Sequence, residues 1–172
     1  IKRLWRAAHP NVVAFWGELE EAFRNATQQP GKRFTARRCT VSRSGNWLRV
    51  LLPSGRSLCY PAPQVSDKGE LSYMGNNQYT RKWQRIKTYG GKAVENSTQS
   101  VAAHILKDAM FGIEAAGYEI VLTIHDEVVC EAPDDPAYNE AQLSELLAAN
   151  PPWALDLPLA AAGFQGYRYR KG

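Results

Sequence analysis

The chain has 172 residues, 44% of them hydrophobic and 22% charged, enough for one domain with a core of its own. No apolar run approaches the roughly 18 residues of a membrane span and no signal-peptide pattern opens the sequence, so neither membrane insertion nor secretion is supported. The net charge of +4 hides an asymmetry: residues 1–107 carry 18 Lys and Arg against 6 Asp and Glu, whereas residues 108–172 carry 3 against 11. A basic stretch of that kind fits DNA, but by charge alone it would also fit RNA, an acidic protein or a membrane surface.

In chain order, Pro10 is a good first-turn residue, and the spacing of Val12, Phe15, Trp16, Leu19 and Phe23 predicts a helix from about 10 to 28, ended by Thr27-Gln28-Gln29-Pro30-Gly31. Short strands are predicted near Trp47 to Leu52 and Arg56 to Tyr60, joined by the turn sequence Pro53-Ser54-Gly55. Pro61 to Asn77 reads as loop with one short strand. From Tyr79 to Tyr89 basic and aromatic residues interleave, with Arg81, Lys82, Arg85 and Lys87, an electrostatic footprint suited to a phosphate backbone. The aromatic residues of the chain fall mostly in amphipathic patterns that core packing explains before base stacking does.

A helix is predicted from Gly91 to about Ala116, closed by Gly117. Val94, Val101, Ile105, Leu106, Met110 and Ile113 recur on one side of it, and Lys92, Asn96 and Gln99 fall at i, i+4 and i+7 on another. Next come two apolar runs, Glu119 to Ile124 and Val128 to Glu131, with His125-Asp126-Glu127 between them. That pattern predicts a hairpin with charge at its tip. Such a tip suits Mg²⁺, which prefers hard oxygen ligands and usually takes only one or two carboxylates from a protein. Acids at a hairpin tip are also ordinary turn chemistry. A helix over Pro136 to Ala149 and a last strand over Leu157 to Ala162 complete the reading. Runs of helix and strand without βαβ alternation predict an α+β fold, an antiparallel sheet packed on helices with the hairpin at 119–131. No internal repeat or low-complexity segment is evident. Cys39, Cys59 and Cys130 lack zinc spacing, which favours a reduced, cytosolic setting. His9 and His104 have no acid or nucleophile nearby in sequence and read as structural.

Thr88 to Lys107, followed by Ile124-His125-Asp126-Glu127, resembles the C-terminal palm of family A (DNA polymerase I-like) DNA polymerases, phage members above all. Ala8-His9-Pro10-Asn11-Val12-Val13-Ala14-Phe15-Trp16 resembles the helix after the nucleotide-binding fingers helix, and Leu52-Pro53-Ser54-Gly55-Arg56-Ser57-Leu58-Cys59-Tyr60 a Pro-Ser-Gly-Arg strand segment of phage enzymes. The tail, with Leu155-Asp156-Leu157-Pro158-Leu159 and Gly163, is similar to the family's closing strand, so the likeness runs collinearly along nearly the whole chain.

The resemblance implies that Asp126 binds the catalytic Mg²⁺ ions, that His125 lies by the primer terminus and that Glu127 is a supporting acid. It implies that Gln99 faces the template-primer minor groove, along with Lys92 and with Asn96 or Glu95, since Glu95 holds the place where the family commonly has asparagine. Arg81 and Arg85 would reach the DNA backbone. Primer-template DNA and deoxynucleoside triphosphates would be the partners, in the cytoplasm of a phage-infected or lysogenic bacterial host.

The family's first carboxylate motif, Asp-Tyr-Ser-Gln-Ile-Glu, and its fingers helix with an arginine, a lysine and a tyrosine are not in this sequence. A two-metal site needs a cage holding both ions, and this chain supplies it only in part. The expectation is therefore half an active site: a C-terminal palm fragment, inactive alone, whose partner is the missing upstream polymerase segment. The alternatives are a DNA-binding module without catalysis and a metal-dependent phosphohydrolase built on His125 and Asp126. The phosphohydrolase is the weaker, because it would need histidines beyond His9 and His104.

Overall fold

The computed structural model describes residues 2–169. Its contacts gather into two compact units that divide between Val101 and Ala102, and each is described by itself.

The first unit opens with α1 (Lys2–Ala8) and α2 (Pro10–Gln28), the latter with proline in its first turn. Four strands follow, β1 (Arg33–Ala36), β2 (Cys39–Ser44), β3 (Trp47–Leu51) and β4 (Ser57–Pro61), forming one antiparallel sheet in chain order. Then β5 (Gln64–Val65), β6 (Leu71–Asn76) and β7 (Trp83–Thr88) make a second antiparallel sheet, again in chain order. The helix α3 (Gly90–Ala115) begins in this unit and continues into the other.

Helical spacing decides what α2 buries. Leu19, Ala22, Phe23 and Ala26 lie at i, i+3, i+4 and i+7, and all four are buried against the first sheet. Phe15 and Trp16 are only partly buried, and Val12 is exposed despite its place in the apolar pattern. Strand alternation decides the other side of the core. Leu48 and Val50 point inward from β3 while Trp47, Arg49 and Leu51 point out, and Val41 of β2 sits directly opposite Val50. Tyr60 links the layers, its ring meeting Phe23 and Tyr73 edge to face at 5.1 and 4.9 Å. Burying a side chain the size of Leu19 or Phe23 is worth about 1.5–3 kcal/mol. This layer is thus the main source of the unit's stability.

The start of α3 is seated on α2. The Gly90 N–H donates to Glu20 Oε2 at 2.7 Å, and a Cβ at Gly90 would stand 2.0 Å from the backbone oxygen of Trp16. Only glycine allows the two helices to approach this closely. Ala93 and Val94 are then buried, and Val101 packs against the same core.

In the second unit, α3 ends at Ala115 and is closed by Gly117, whose φ of 93° places it in the left-handed region. The Gly117 N–H donates to the Glu114 carbonyl at 3.0 Å and the Tyr118 N–H to the Ile113 carbonyl at 3.3 Å, which is the Schellman arrangement, with Ile113 and Tyr118 both buried. Strands β8 (Glu119–Ile124) and β9 (Glu127–Glu131) pair antiparallel, and α4 (Glu140–Leu147) follows. Asn139 caps α4 by accepting from the Gln142 N–H at 2.9 Å. The Tyr118 hydroxyl donates to Gln142 Oε1 at 2.7 Å and accepts from the Asn139 N–H at 3.1 Å. The Trp153 indole N–H donates to Asp108 Oδ2 at 2.7 Å.

The fold is α+β, and among the described residues every strand pair is antiparallel, with the strands shared among three sheets. The long helices and the hairpin stand where the sequence places them. Several segments differ. Lys2 to Ala8 forms the unpredicted α1, Pro61 to Asn77 holds the two strands β5 and β6 where one short strand is expected, and Trp83 to Thr88 of the basic run is the strand β7. Arg33 to Ser44 contains the unpredicted β1 and β2. The helix predicted over Pro136 to Ala149 is shortened to α4, because Pro136 and Ala137 lie in a turn in which Asp135 Oδ1 accepts from the Ala137 N–H at 2.8 Å. No strand forms over Leu157 to Ala162. There the Leu157 carbonyl accepts from the Asn150 side chain at 2.7 Å, a local bond in place of a ladder. Among the described residues no helix is long and apolar enough to cross a membrane.

Candidate nucleic-acid interface and carboxylate hairpin

In the second unit, Ile124 stands opposite Glu127, so the hairpin loop has two residues, His125 and Asp126. His125 takes φ 56°, the positive value that two-residue hairpins demand at their first loop position because it matches the twist of the strands. The tip is therefore His-Asp, and Glu127 is already the first residue of β9. All three side chains are exposed. Val121 is an extra residue in β8 between the pairs Ile120–Cys130 and Leu122–Val129, a bulge that tightens the twist. Val121 and Leu122 remain about half exposed. Partial burial pushes the Cys130 thiol up, and the Glu114 carboxylate adds to the rise.

Asp126 and Glu127 are neighbouring hard-oxygen donors open to solvent, which fits the one or two protein carboxylates that Mg²⁺ usually takes. Among the described residues no three His, Cys, Asp or Glu gather into a metal-holding group. The backbone of His125 gives a stability prediction. A non-glycine residue in the left-handed region costs about 1–2 kcal/mol, less for His, Asn and Asp and more for a β-branched residue. His125→Val is expected to lose about 1–2 kcal/mol, whereas His125→Gly should be near neutral, because the relieved strain is offset by the freer unfolded chain. Urea unfolding of the two variants checks this, and equal stabilities would contradict it.

In the first unit, the residues singled out on α3 separate. Lys92 and Gln99 are exposed. Glu95 is exposed too and pairs with Lys92 at 2.9 Å, a hydrogen bond that holds the ammonium above its ordinary value. Asn96 turns inward, half-buried, and its side-chain amide donates to the Tyr60 hydroxyl at 3.2 Å. Burial raises the Tyr60 pKa, and this hydrogen bond lowers it in part. Of the two residues between which the sequence leaves the choice, Glu95 faces solvent and Asn96 holds the helix to the sheet.

The basic run before α3 is the edge strand β7, and alternation sorts it. Ile86 and Thr88 are partly buried on one face, while Trp83, Arg85 and Lys87 share the exposed one. Arg85 Nη1 donates to the Ala62 carbonyl at 3.0 Å and to Ser72 Oγ at 3.3 Å, and Lys87 pairs with Glu70 at 2.9 Å. Arg81 lies in the loop before β7 with φ 55°. Core packing, the sequence-based expectation for the aromatic residues, fails for Tyr79, Trp83 and Tyr89, all of which are exposed. The signal for Tyr79 and Trp83 is the interleaving of basic and aromatic residues, which puts Trp83 beside Arg85 and Lys87 on the strand's outer face and Tyr79 beside Arg81 and Lys82 in the turn before it.

No protein-family model matches the chain, and no solved structure matches it. A protein named DNA polymerase from Bacillus phage SP02 is 35% identical to it over 175 residues, which takes in 98% of this chain. The chain spans about a quarter of that relative's length, 26%. Identity at that level over 98% of the chain makes this chain a relative of a phage DNA polymerase.

Proposed function

We propose that the chain is the C-terminal palm part of a phage-type family A DNA polymerase and serves DNA-directed DNA synthesis in a phage-infected bacterial host. The observation that carries this reading is the 35% identity to a phage DNA polymerase along 98% of the chain. The exposed Asp126 carboxylate on a two-residue turn between paired strands supports it. In this reading Asp126, with Glu127 in support, holds Mg²⁺, which when bound balances the charge of the transferring phosphoryl group. A two-metal site needs more carboxylates than these two, so the reading assigns its other ligands to polypeptide outside this chain, and with them the grip on the deoxynucleoside triphosphate.

His125 lies beside the primer terminus. Lys92, Glu95 and Gln99 present polar groups to the primer-template duplex, Asn96 fixes the helix that carries them, and Arg81 and Arg85 meet phosphates. Without the remaining ligands the chain by itself extends no primer. Fluorescence anisotropy with a primer-template duplex tests the interface. Affinity should fall as salt rises, with a slope of about one log unit per phosphate neutralised, and Arg81→Ala with Arg85→Ala should lower that slope by up to about two. Binding independent of salt would refute it.

A further inference from the structure

Tyr79 stands in the turn between β6 and β7 and Trp83 is the first residue of β7, and the two residues are 85% and 59% exposed. The turn that displays them is built. Asn77 Oδ1 accepts from the Tyr79 and Thr80 N–H groups, both at 2.9 Å. The Asn77 N–H donates to the Lys82 carbonyl at 2.9 Å, and the Arg81 N–H to the Asn77 carbonyl at 2.8 Å. This Asx turn fixes the backbone on which Tyr79 stands, so the ring is held in water by ordered structure. Among the described residues neither Tyr79 nor Trp83 packs against another ring.

The surroundings are cationic. Arg81 and Lys82 are exposed in the turn, and Arg85 and Lys87 follow Trp83 at alternate positions of β7, on one face. Across the register that face is completed by Asn76, Met74 and Ser72 of β6, none of them charged. Glu70, the acid at this ribbon, is already paired with Lys87. Among the described residues no carboxylate pairs with Arg81, Lys82 or Arg85.

Exposed rings set among unpaired cations are complementary to a polyanion that carries flat, stackable groups. In a duplex the base faces are covered by neighbouring pairs, whereas in a single strand they are free to lie on an aromatic ring. We propose that the β6–β7 ribbon is a docking site for single-stranded DNA, with bases stacking on Tyr79 and Trp83 and phosphates running along Arg81, Lys82 and Arg85. The proposal rests on the DNA-binding reading above and deepens it: α3 faces the paired part of the primer-template, and the phosphates that Arg81 and Arg85 meet in that reading belong to its unpaired template strand.

The test uses the 172-residue chain with a fluorescein-labelled oligo-dT of about 12 nucleotides and a blunt duplex of equal length. Tyr79→Ala combined with Trp83→Ala should weaken oligo-dT binding at least about tenfold, leave the duplex within about twofold, and leave the salt slope unchanged, since rings and not charges are removed. Trp83→Phe with Tyr79→Phe should retain binding, which separates loss of stacking from loss of fold. Unchanged oligo-dT affinity in the alanine variant, with duplex binding intact, would overturn the inference and leave the duplex reading of α3 standing. Ring-dependent oligo-dT binding without duplex binding would do the reverse. Binding of neither probe would overturn both, and displacement of oligo-dT by polyglutamate as efficient as by unlabelled oligo-dT would also overturn the single-strand proposal.

Discussion

In an assembled polymerase that contains this chain, Asp126→Asn is expected to lower single-turnover nucleotide incorporation by at least about 10³-fold while leaving unfolding and DNA binding nearly unchanged. The substitution is a clean probe because of where Asp126 sits. It occupies the second position of a two-residue hairpin turn, exposed to solvent. Asparagine suits such turns as well as aspartate does, so the shape survives and only the charge goes. A carboxylate that holds a metal ion acts mainly where charge develops in the transition state, so its loss falls on the chemical step. His125→Ala and Glu127→Gln should cost less, because neither removes the charge at the tip of the turn. Rapid-quench incorporation with saturating DNA reads the effect, and near-normal rates in Asp126→Asn would refute the assignment of Asp126 as metal ligand.

Gly90→Ala is expected to destabilise the first unit by about 3 kcal/mol or more, the upper range for overpacking. The added methyl would stand 2.0 Å from the Trp16 oxygen and 2.8 Å from its carbonyl carbon. Both are backbone atoms of α2, so relief requires one helix to move off the other. That movement would also stretch the 2.7 Å bond from the Gly90 N–H to Glu20 and leave a helix-start donor without its partner. Gly112 is the control. It lies in the interior of the same helix α3, and a methyl added there would meet nothing within 4 Å. Gly112→Ala should therefore stabilise by about 0.5–1 kcal/mol through helix propensity alone. Chemical unfolding of both variants measures the contrast, and a Gly90→Ala protein as stable as the parent would mean that α3 is not seated on α2 as described.

The sequence by itself determined the elements whose signals are local. Pro10 in a first turn and apolar residues at helical spacing define α2 from Pro10 to Gln28, and Gly117 closes α3 because few other residues adopt its φ without strain. Two apolar runs around a charged tip define β8 and β9. The tertiary structure decided what depends on a partner distant in sequence. Arg33 to Ser44 alternates only in short runs of about four residues broken by Arg37-Arg38, and its two strands exist because β3 pairs with β2 and α2 covers their inner face. Leu157 to Ala162 carries the apolar residues of a strand but finds no ladder, so its pattern goes unused. Glu95 and Asn96 are adjacent residues that spacing cannot rank, and the Tyr60 hydroxyl ranks them by drawing Asn96 inward. Tyr79 and Trp83 are apolar enough for a core, yet an Asx turn and the outward face of an edge strand hold them in solvent. A helix is specified by contacts within one turn of chain, whereas a strand's pairing, its buried face and the exposure of its rings are fixed only when remote segments meet.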